Sequence, residues 1–246
     1  MLEITKIKKR SNQGMTQPFL CEGSNGKTYY VKGKAANASG LIKEWLGAQL
    51  ANAFVLPLAP CQILYVDSST LVKYYSEEAI YDLAEGGEGY VFGSEEITSC
   101  TEIKYDEIGK ISPERQKDIL LFDLWVYNED RTLSELGGNP NLLLQSEQLK
   151  LYVIDHNLIF DNDFDHKSFW KTHIFRKIIK DHPFDMIDQL NYKNRMQETL
   201  TCWQLAWEAI PEDWKTLNEE VGLFNPDETL QRLIADAKGN IWRKLP

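Results

Sequence analysis

Asp130 and Asp155 frame the stretch of this chain with the least freedom to fold in more than one way. Upstream, Ser112-Pro113-Glu114 is a helix start, with serine at the N-cap, proline at the first helical position and an acid in the first turn. Ile119, Phe122, Leu124 and Val126 line the helix it opens, which delivers the chain to the polar run Asn128-Glu129-Asp130-Arg131-Thr132. A loop over 133–138 leads to Asn139-Pro140-Asn141, and two short apolar strands over 142–145 and 151–154 follow. The second strand closes on Asp155-His156-Asn157. One carboxylate thus follows a helix, the other ends a strand, and two amide side chains stand between them.

The rest of the sequence divides near residue 100. Before it strands predominate: residues 3–10 and 17–22 alternate loosely, 27–32 carry the β-favouring Thr28-Tyr29-Tyr30-Val31, and 61–66 and 90–97 read as further strands. Asn25-Gly26 predicts a type I′ hairpin, whose two turn positions need positive φ. A helix over 38–53 has Ile42, Trp45, Leu46, Leu50 and Ala53 at helical spacing and stops at Leu56-Pro57. A strand near 71–75 and one helical turn are expected before Gly86-Gly87-Glu88-Gly89, which reads as a turn because no helix follows it. Beyond residue 155 helices dominate. Met196, Leu200, Trp203, Trp207 and Ile210 share one helix face, the pattern of a packing surface. Asn225-Pro226-Asp227-Glu228 caps a final helix with Leu230, Leu233, Ile234, Ala237 and Ile241 inward.

Composition narrows the function. A chain of 246 residues can bury a sizeable core. Its formal charge of -10, without long Lys or Arg runs, disfavours direct nucleic-acid binding, which draws on neutralising phosphates. Cys21, Cys61, Cys100 and Cys202 lie far apart with no Cys-x-x-Cys pair, which argues against a zinc site or a disulfide framework and for a reducing compartment. The N-terminus lacks the basic and apolar blocks of a signal peptide, and the longest apolar stretch, 54–66, is broken by Pro57 and Pro60. A soluble, cytoplasmic protein with no membrane partner is therefore expected. Gly26-Lys27-Thr28 resembles the end of a P-loop, but Cys21 stands where that loop's first glycine belongs, and 29–31 is strand rather than helix material.

An aspartate, then an amide, then a second aspartate closing an apolar strand is the order in which kinase-type phosphoryl-transfer enzymes carry their base and metal ligands. Asp130 could orient an attacking hydroxyl, although a loop aspartate also serves simply to cap backbone N–H groups. Asp155 offers hard carboxylate oxygen to magnesium, and Asn139 or Asn141 amide oxygen; the plainer reading of the latter is an Asn-Pro-Asn turn. Lys32 and Lys34 share one strand face. Glu44 has Leu41, Ala48 and Ala51 as helical neighbours, so its charge requires a partner.

The catalytic-type stretch resembles that of the HipA-like kinases, most closely their short members, which read N-x-D-R-T, N-P-N-L-L and I-D-H. Gly14-Met15-Thr16-Gln17-Pro18-Phe19 resembles the family's first hairpin, Tyr30-Val31-Lys32 its lysine strand, Leu41-Ile42-Lys43-Glu44-Trp45 its glutamate helix, and Val91-Phe92-Gly93-Ser94-Glu95 the segment before its hinge. The resemblance implies an α+β, bilobal protein-kinase-like fold, with a strand-rich N-lobe over 1–98 and a mainly helical C-lobe over 99–246. It implies magnesium-dependent transfer of the γ-phosphoryl group of ATP to a hydroxyl, that of a serine or threonine in a protein substrate, in a toxin–antitoxin or regulatory setting. Asp130 would orient the acceptor, Asp155 with Asn139 or Asn141 would hold Mg2+, and Lys32, paired with Glu44, would contact the donor phosphates. Gly14, Met15 and Thr16 would lie in the loop over those phosphates, and Glu95 and Ile97 would border the adenine. Nothing resembles the additional N-terminal subdomain of the longer HipA toxins, so what it contributes would be missing or supplied by a partner protein. Two departures from the family pattern stand out: about four extra residues over 133–138, and Asn157 in place of glycine, asparagine being the non-glycine residue that best tolerates left-handed backbone. A small-molecule kinase of the same fold and a nucleotide-binding pseudokinase scaffold are the alternatives.

Overall fold

The computed structural model describes residues 1–11, 17–73, 82–84, 88–145, 147–222 and 224–246. Among the described residues the strands are β1 (Leu2–Arg10), β2 (Phe19–Gly23), β3 (Thr28–Lys32), β4 (Cys61–Val66), β5 (Gly89–Glu95), β6 (Thr101–Glu102), β7 (Leu142–Gln145) and β8 (Lys150–Val153). The α-helices are α1 (Asn37–Ala53), α2 (Ser68–Lys73), α3 (Pro113–Val126), α4 (His166–Thr172), α5 (Ile178–Asp181), α6 (Met186–Thr199), α7 (Trp203–Glu208), α8 (Glu212–Val221) and α9 (Pro226–Ala237). None of them is long and apolar enough to cross a membrane. The chain forms two compact units: Met1–Trp45 with Ala59–Thr98 and Ala209–Phe224, and Leu46–Leu58 with Ser99–Glu208 and Asn225–Pro246. The grouping changes at Thr98–Ser99, within α1 and around α8.

In the first unit the strands close into a barrel in the order β1-β2-β3-β5-β4, antiparallel except where β1 meets β4. Closure satisfies both edges of the sheet and turns alternate side chains inward. Ile4, Phe19, Cys21, Tyr29, Val31, Leu64, Val66 and Val91 are buried there together. Burial in that apolar interior pushes the Cys21 thiol up to about 12, so it stays protonated and unreactive. β5 passes Leu64 and Tyr29 at Gly93, where a Cβ would stand 2.3 Å from Leu64 Cδ1. At the C-terminal end of the chain, α8 joins this unit through Trp214, whose indole donates to the Tyr90 carbonyl at 3.3 Å.

Two local expectations are corrected in this unit. The hairpin joining β2 to β3 is not type I′: Gly26 takes φ 77°, but Asn25 does not have positive φ. Gly23 N donates to Lys27 O and Gly26 N to Gly23 O, which makes a three-residue loop with its left-handed position last. The Asn25 side chain is used instead, accepting from Lys27 N at 3.1 Å and donating to the Tyr29 hydroxyl. The segment expected as a strand from residue 71 belongs to α2. Asp67 caps it, its Oδ1 accepting from Ser69 Oγ and Thr70 N, and these hydrogen bonds, the Ser69 one foremost, lower its pKa. A cap that satisfies orphan N–H groups outweighed the β-branched character of Thr70 and Val72.

The second unit holds the small antiparallel sheet β6-β7-β8 and most of the helices. α3 is its axis. Ser112 accepts from Arg115 N at 3.3 Å to start it, and from Ile119 to Val126 every residue is buried. Phe54, Phe122 and Trp125 form an aromatic cluster with centroids 5.4–6.3 Å apart. The Arg195 guanidinium lies 4.1 Å from the Phe54 ring and donates to Asp118 at 2.6 Å, covering that cluster with a paired cation. The stripe expected on one helix is interrupted: α6 tightens into a 3-10 turn at Leu200–Cys202 before α7. Met196, Trp203 and Ile210 are nevertheless buried, so the stripe is a packing face. α9 starts as expected, with Asn225 accepting from Asp227 N and Glu228 N.

Candidate functional site

In the strand unit, Lys32 at the end of β3 and Glu44 on α1 form a salt bridge, with side chains 10% and 1% exposed. Leu41, Ala48 and Ala51 around the glutamate are all buried. A carboxylate sunk in such surroundings is held ionised only by a cation at hydrogen-bonding range, which fixes the lysine's position as firmly as the glutamate's. Lys34, the other lysine on that strand face, falls in a separate 3-10 turn, Lys34–Ala36. Glu95 ends β5 with its N–H committed to Pro60 O and its carboxylate on Lys27 Nζ at 2.8 Å, and Ile97 lies just beyond the strand. Gly14, Met15 and Thr16 lie outside the described residues.

In the second unit, Asp130 Oδ2 accepts from the amide nitrogens of both Asn139 and Asn141, each at 2.8 Å. The asparagines therefore share one anchor and turn their amide oxygens away from it. The residues over 133–138 do not separate these groups, because they fold back on themselves. Thr132 N donates to Asn139 O at 2.8 Å, Asn139 N to Thr132 Oγ1 at 3.2 Å, and Ser134 and Gly137 exchange both backbone bonds. Gly138 makes the closure possible, since a Cβ there would lie 2.6 Å from Thr132 O. The extra residues are thus absorbed in a closed hairpin that returns Asn139 to Asp130.

Beneath the loop is a charge network that sequence reasoning overlooked. Arg131 is fully buried, with Nε 2.7 Å from Asp123 Oδ2. Its Nη1 donates to the carbonyls of Asn141 at 2.5 Å and Ile154 at 3.4 Å. One guanidinium therefore ties the residue after Asp130 to Asn141 and to the residue before Asp155. Asp123, also fully buried, accepts further from Asn128 Nδ2 at 2.8 Å and faces His173 Nε2 at 3.0 Å. His173 Nδ1 accepts from Phe175 N, so Nε2 carries the proton of a neutral imidazole. Burial favours the protonated Asp123 carboxyl, but Arg131 and His173 outweigh it and hold the pKa at about 2. Burial lowers the pKa of His173. The signal was present in the sequence as a lone acid inside an apolar helix, Ile119-Leu120-Leu121-Phe122-Asp123-Leu124-Trp125-Val126.

Asp155 leaves β8 with φ 60°, and Asn141 has φ 46°. This corrects the expectation for Asn157: the left-handed residue is Asp155 itself, and Asn157 does not have positive φ. Such backbone costs energy outside glycine and is tolerated best by Asp and Asn. The surroundings enforce it. Just before it, Val153 N donates to Pro57 O and Ile154 N to Asn141 O. Behind, Gly47 on α1 lets His156 approach so closely that a Cβ would lie 2.6 Å from His156 Cβ and 2.7 Å from Ile159 Cδ1. Gly47→Ala should therefore destabilise, although alanine is favoured over glycine in helices by about 1 kcal/mol. Overpacking costs about 1–3 kcal/mol, so set against that gain the expected result is a net loss of up to about 2 kcal/mol, which thermal denaturation measures.

Asp130, Asn139, Asn141 and Asp155 provide hard oxygen atoms, and no group of three or more His, Cys, Asp or Glu able to hold a metal occurs among the described residues. Carboxylate and amide oxygens are the donor type that magnesium takes.

The model of the HipA-like kinase family matches residues 4–245. Among solved structures, the chain is similar to the Helicobacter pylori proinflammatory kinase CtkA, at 12% identity and a TM-score of 0.44, over 99% of this chain and 95% of that one. It is also similar to the MAP kinase LmaMPK10 from Leishmania major, at 14% identity and a TM-score of 0.32, over 98% of this chain and 81% of that one. A comparison with curated proteins found no match.

Proposed function

Because the chain belongs to the HipA-like kinase family, with its mixed α and β kinase-like fold, we propose that it transfers the γ-phosphoryl group of ATP to a serine or threonine hydroxyl of a protein. The reading divides the work between a strand-rich N-lobe over 1–98 and a helical C-lobe over 99–246. Magnesium, when bound, would neutralise charge on the phosphate oxygens. Asp155, with the amide oxygen of Asn139 or Asn141, would hold it. Lys32, fixed by Glu44, would contact the donor phosphates. Asp130 has Oδ2 engaged by both amides, which leaves Oδ1 to accept the proton of the incoming hydroxyl.

The observation that carries this reading is the joint hold on Asp130 and its partners. Two amides converge on its carboxylate, and Arg131 beside it grips the carbonyl of Asn141 and that of Ile154, next to Asp155. A loop aspartate used only as a backbone cap has no need of that arrangement. Labelling a cell extract with radiolabelled ATP, magnesium and the purified chain tests it. Labelled protein bands seen with the wild type and missing with Asp155→Ala are expected; bands that persist with the variant would refute the assignment.

A further inference from the structure

We propose that a cavity of about 200 Å³ in the second unit, lined by Tyr105, Ile108, Ile174, Phe175, Arg176 and Lys177, is a docking subsite for the acceptor polypeptide, taking a large apolar side chain that neighbours an acidic residue. The proposal rests on the kinase reading above. Its volume is below the roughly 300–1,000 Å³ of sites for nucleotides and drug-sized ligands, and suits one side chain. Ile108, Ile174 and Phe175 make the wall apolar. Gln116, which also lines it, spends its amide on the Ile108 and Ile111 carbonyls. Arg176 and Lys177 stand side by side at this cavity in a chain of formal charge -10, so an acidic flank on the ligand has local complementarity there.

The cavity is wired to the candidate catalytic loop. Arg176 Nη1 donates to the Leu133 carbonyl at 3.1 Å, where the hairpin over 133–138 begins, and that hairpin returns to Asn139 and Asp130. His173, two residues before Phe175, bonds Asp123. Leu136, at the tip of that hairpin, is fully exposed.

Serine-containing peptide libraries, varied as Leu or Ala and as Glu or Lys around the serine, test this with the full chain. Wild type should favour Leu-plus-Glu peptides over Ala-plus-Lys peptides by about tenfold or more in kcat/KM. Ile108→Glu and, should that variant fail to fold, the exposed Lys177→Glu should abolish the preference while ATP turnover without peptide is unchanged. Fluorescence anisotropy of the labelled peptides on Asp130→Asn gives a readout that needs no turnover. Preferential binding there, lost in Lys177→Glu, supports the subsite even if no phosphoryl transfer is found, in which case only the kinase reading fails. Active enzyme with equal kcat/KM across the library, or peptide binding indifferent to both variants, overturns the subsite and leaves the kinase reading standing.

Discussion

Asp123→Ala is expected to cost about 3–5 kcal/mol of stability, enough to unfold a marginal domain. The loss exceeds that of a deleted surface ion pair because Arg131 would remain fully buried with its charge uncompensated. Asn128 and His173 would each lose an acceptor as well. The double variant Asp123→Ala/Arg131→Met should therefore be less unstable than Asp123→Ala alone, a sign reversal that simple loss of contacts does not produce. Urea denaturation of the four proteins of the cycle measures it. Acid provides a second check. Asp123 titrates at about 2 when folded and near ~3.9 when unfolded, so the unfolded chain binds the proton first. The stability it contributes is whole above about pH 4 and is lost as the pH falls towards 2. His173 is also lowered, from an ordinary value near ~6.5, so it adds to the loss on acidification, beginning below about pH 6.5. A wild type whose stability is flat between pH 7 and 3 would contradict both assignments.

The parts of this molecule that could be read from sequence are those in which local chemistry and final environment agree. Ser112-Pro113 starts α3 because nothing else competes for those residues, and the strands at Cys61–Val66 and Leu142–Gln145 have the expected limits. The demand of Glu44 for a cation could be inferred from its apolar helical neighbours alone. Asp123 was harder. Its isolation within the apolar stretch 119–126 announced a buried charge, but one of its partners, His173, lies 50 positions away and has no motif of its own. Local competition explains the other misses. At Asn25 the side chain found Lys27 N and the Tyr29 hydroxyl, which removed the reason for a left-handed backbone. At 133–138 the number of extra residues did not say where they go, because the outcome depends on cross-loop bonds between Thr132 and Asn139 that length does not encode.

Asp130→Asn should lower kcat for phosphoryl transfer by about 10²–10⁴-fold, the range for removal of a general base, with little change in KM for ATP. The substitution keeps the size of the side chain but removes the charge that organises two amides. In the variant, a neutral amide must meet the nitrogens of Asn139 and Asn141 with the single oxygen that remains, and its own NH2 group faces the acceptor in place of a proton-accepting oxygen. The two asparagines are then separable. Asn141 is 5% exposed, left-handed at φ 46°, and bonded through its carbonyl to Arg131 and Ile154, so Asn141→Ala should lose stability as well as activity. Asn139 is exposed, and Asn139→Ala should leave stability within about 0.5 kcal/mol of wild type. Magnesium dependence of kcat then identifies the ligand: the asparagine whose loss raises the magnesium concentration required for half-maximal rate is the one whose oxygen holds the metal. If neither shifts that concentration, the amides only orient Asp130, and Asp155 is left as the sole candidate ligand from the protein.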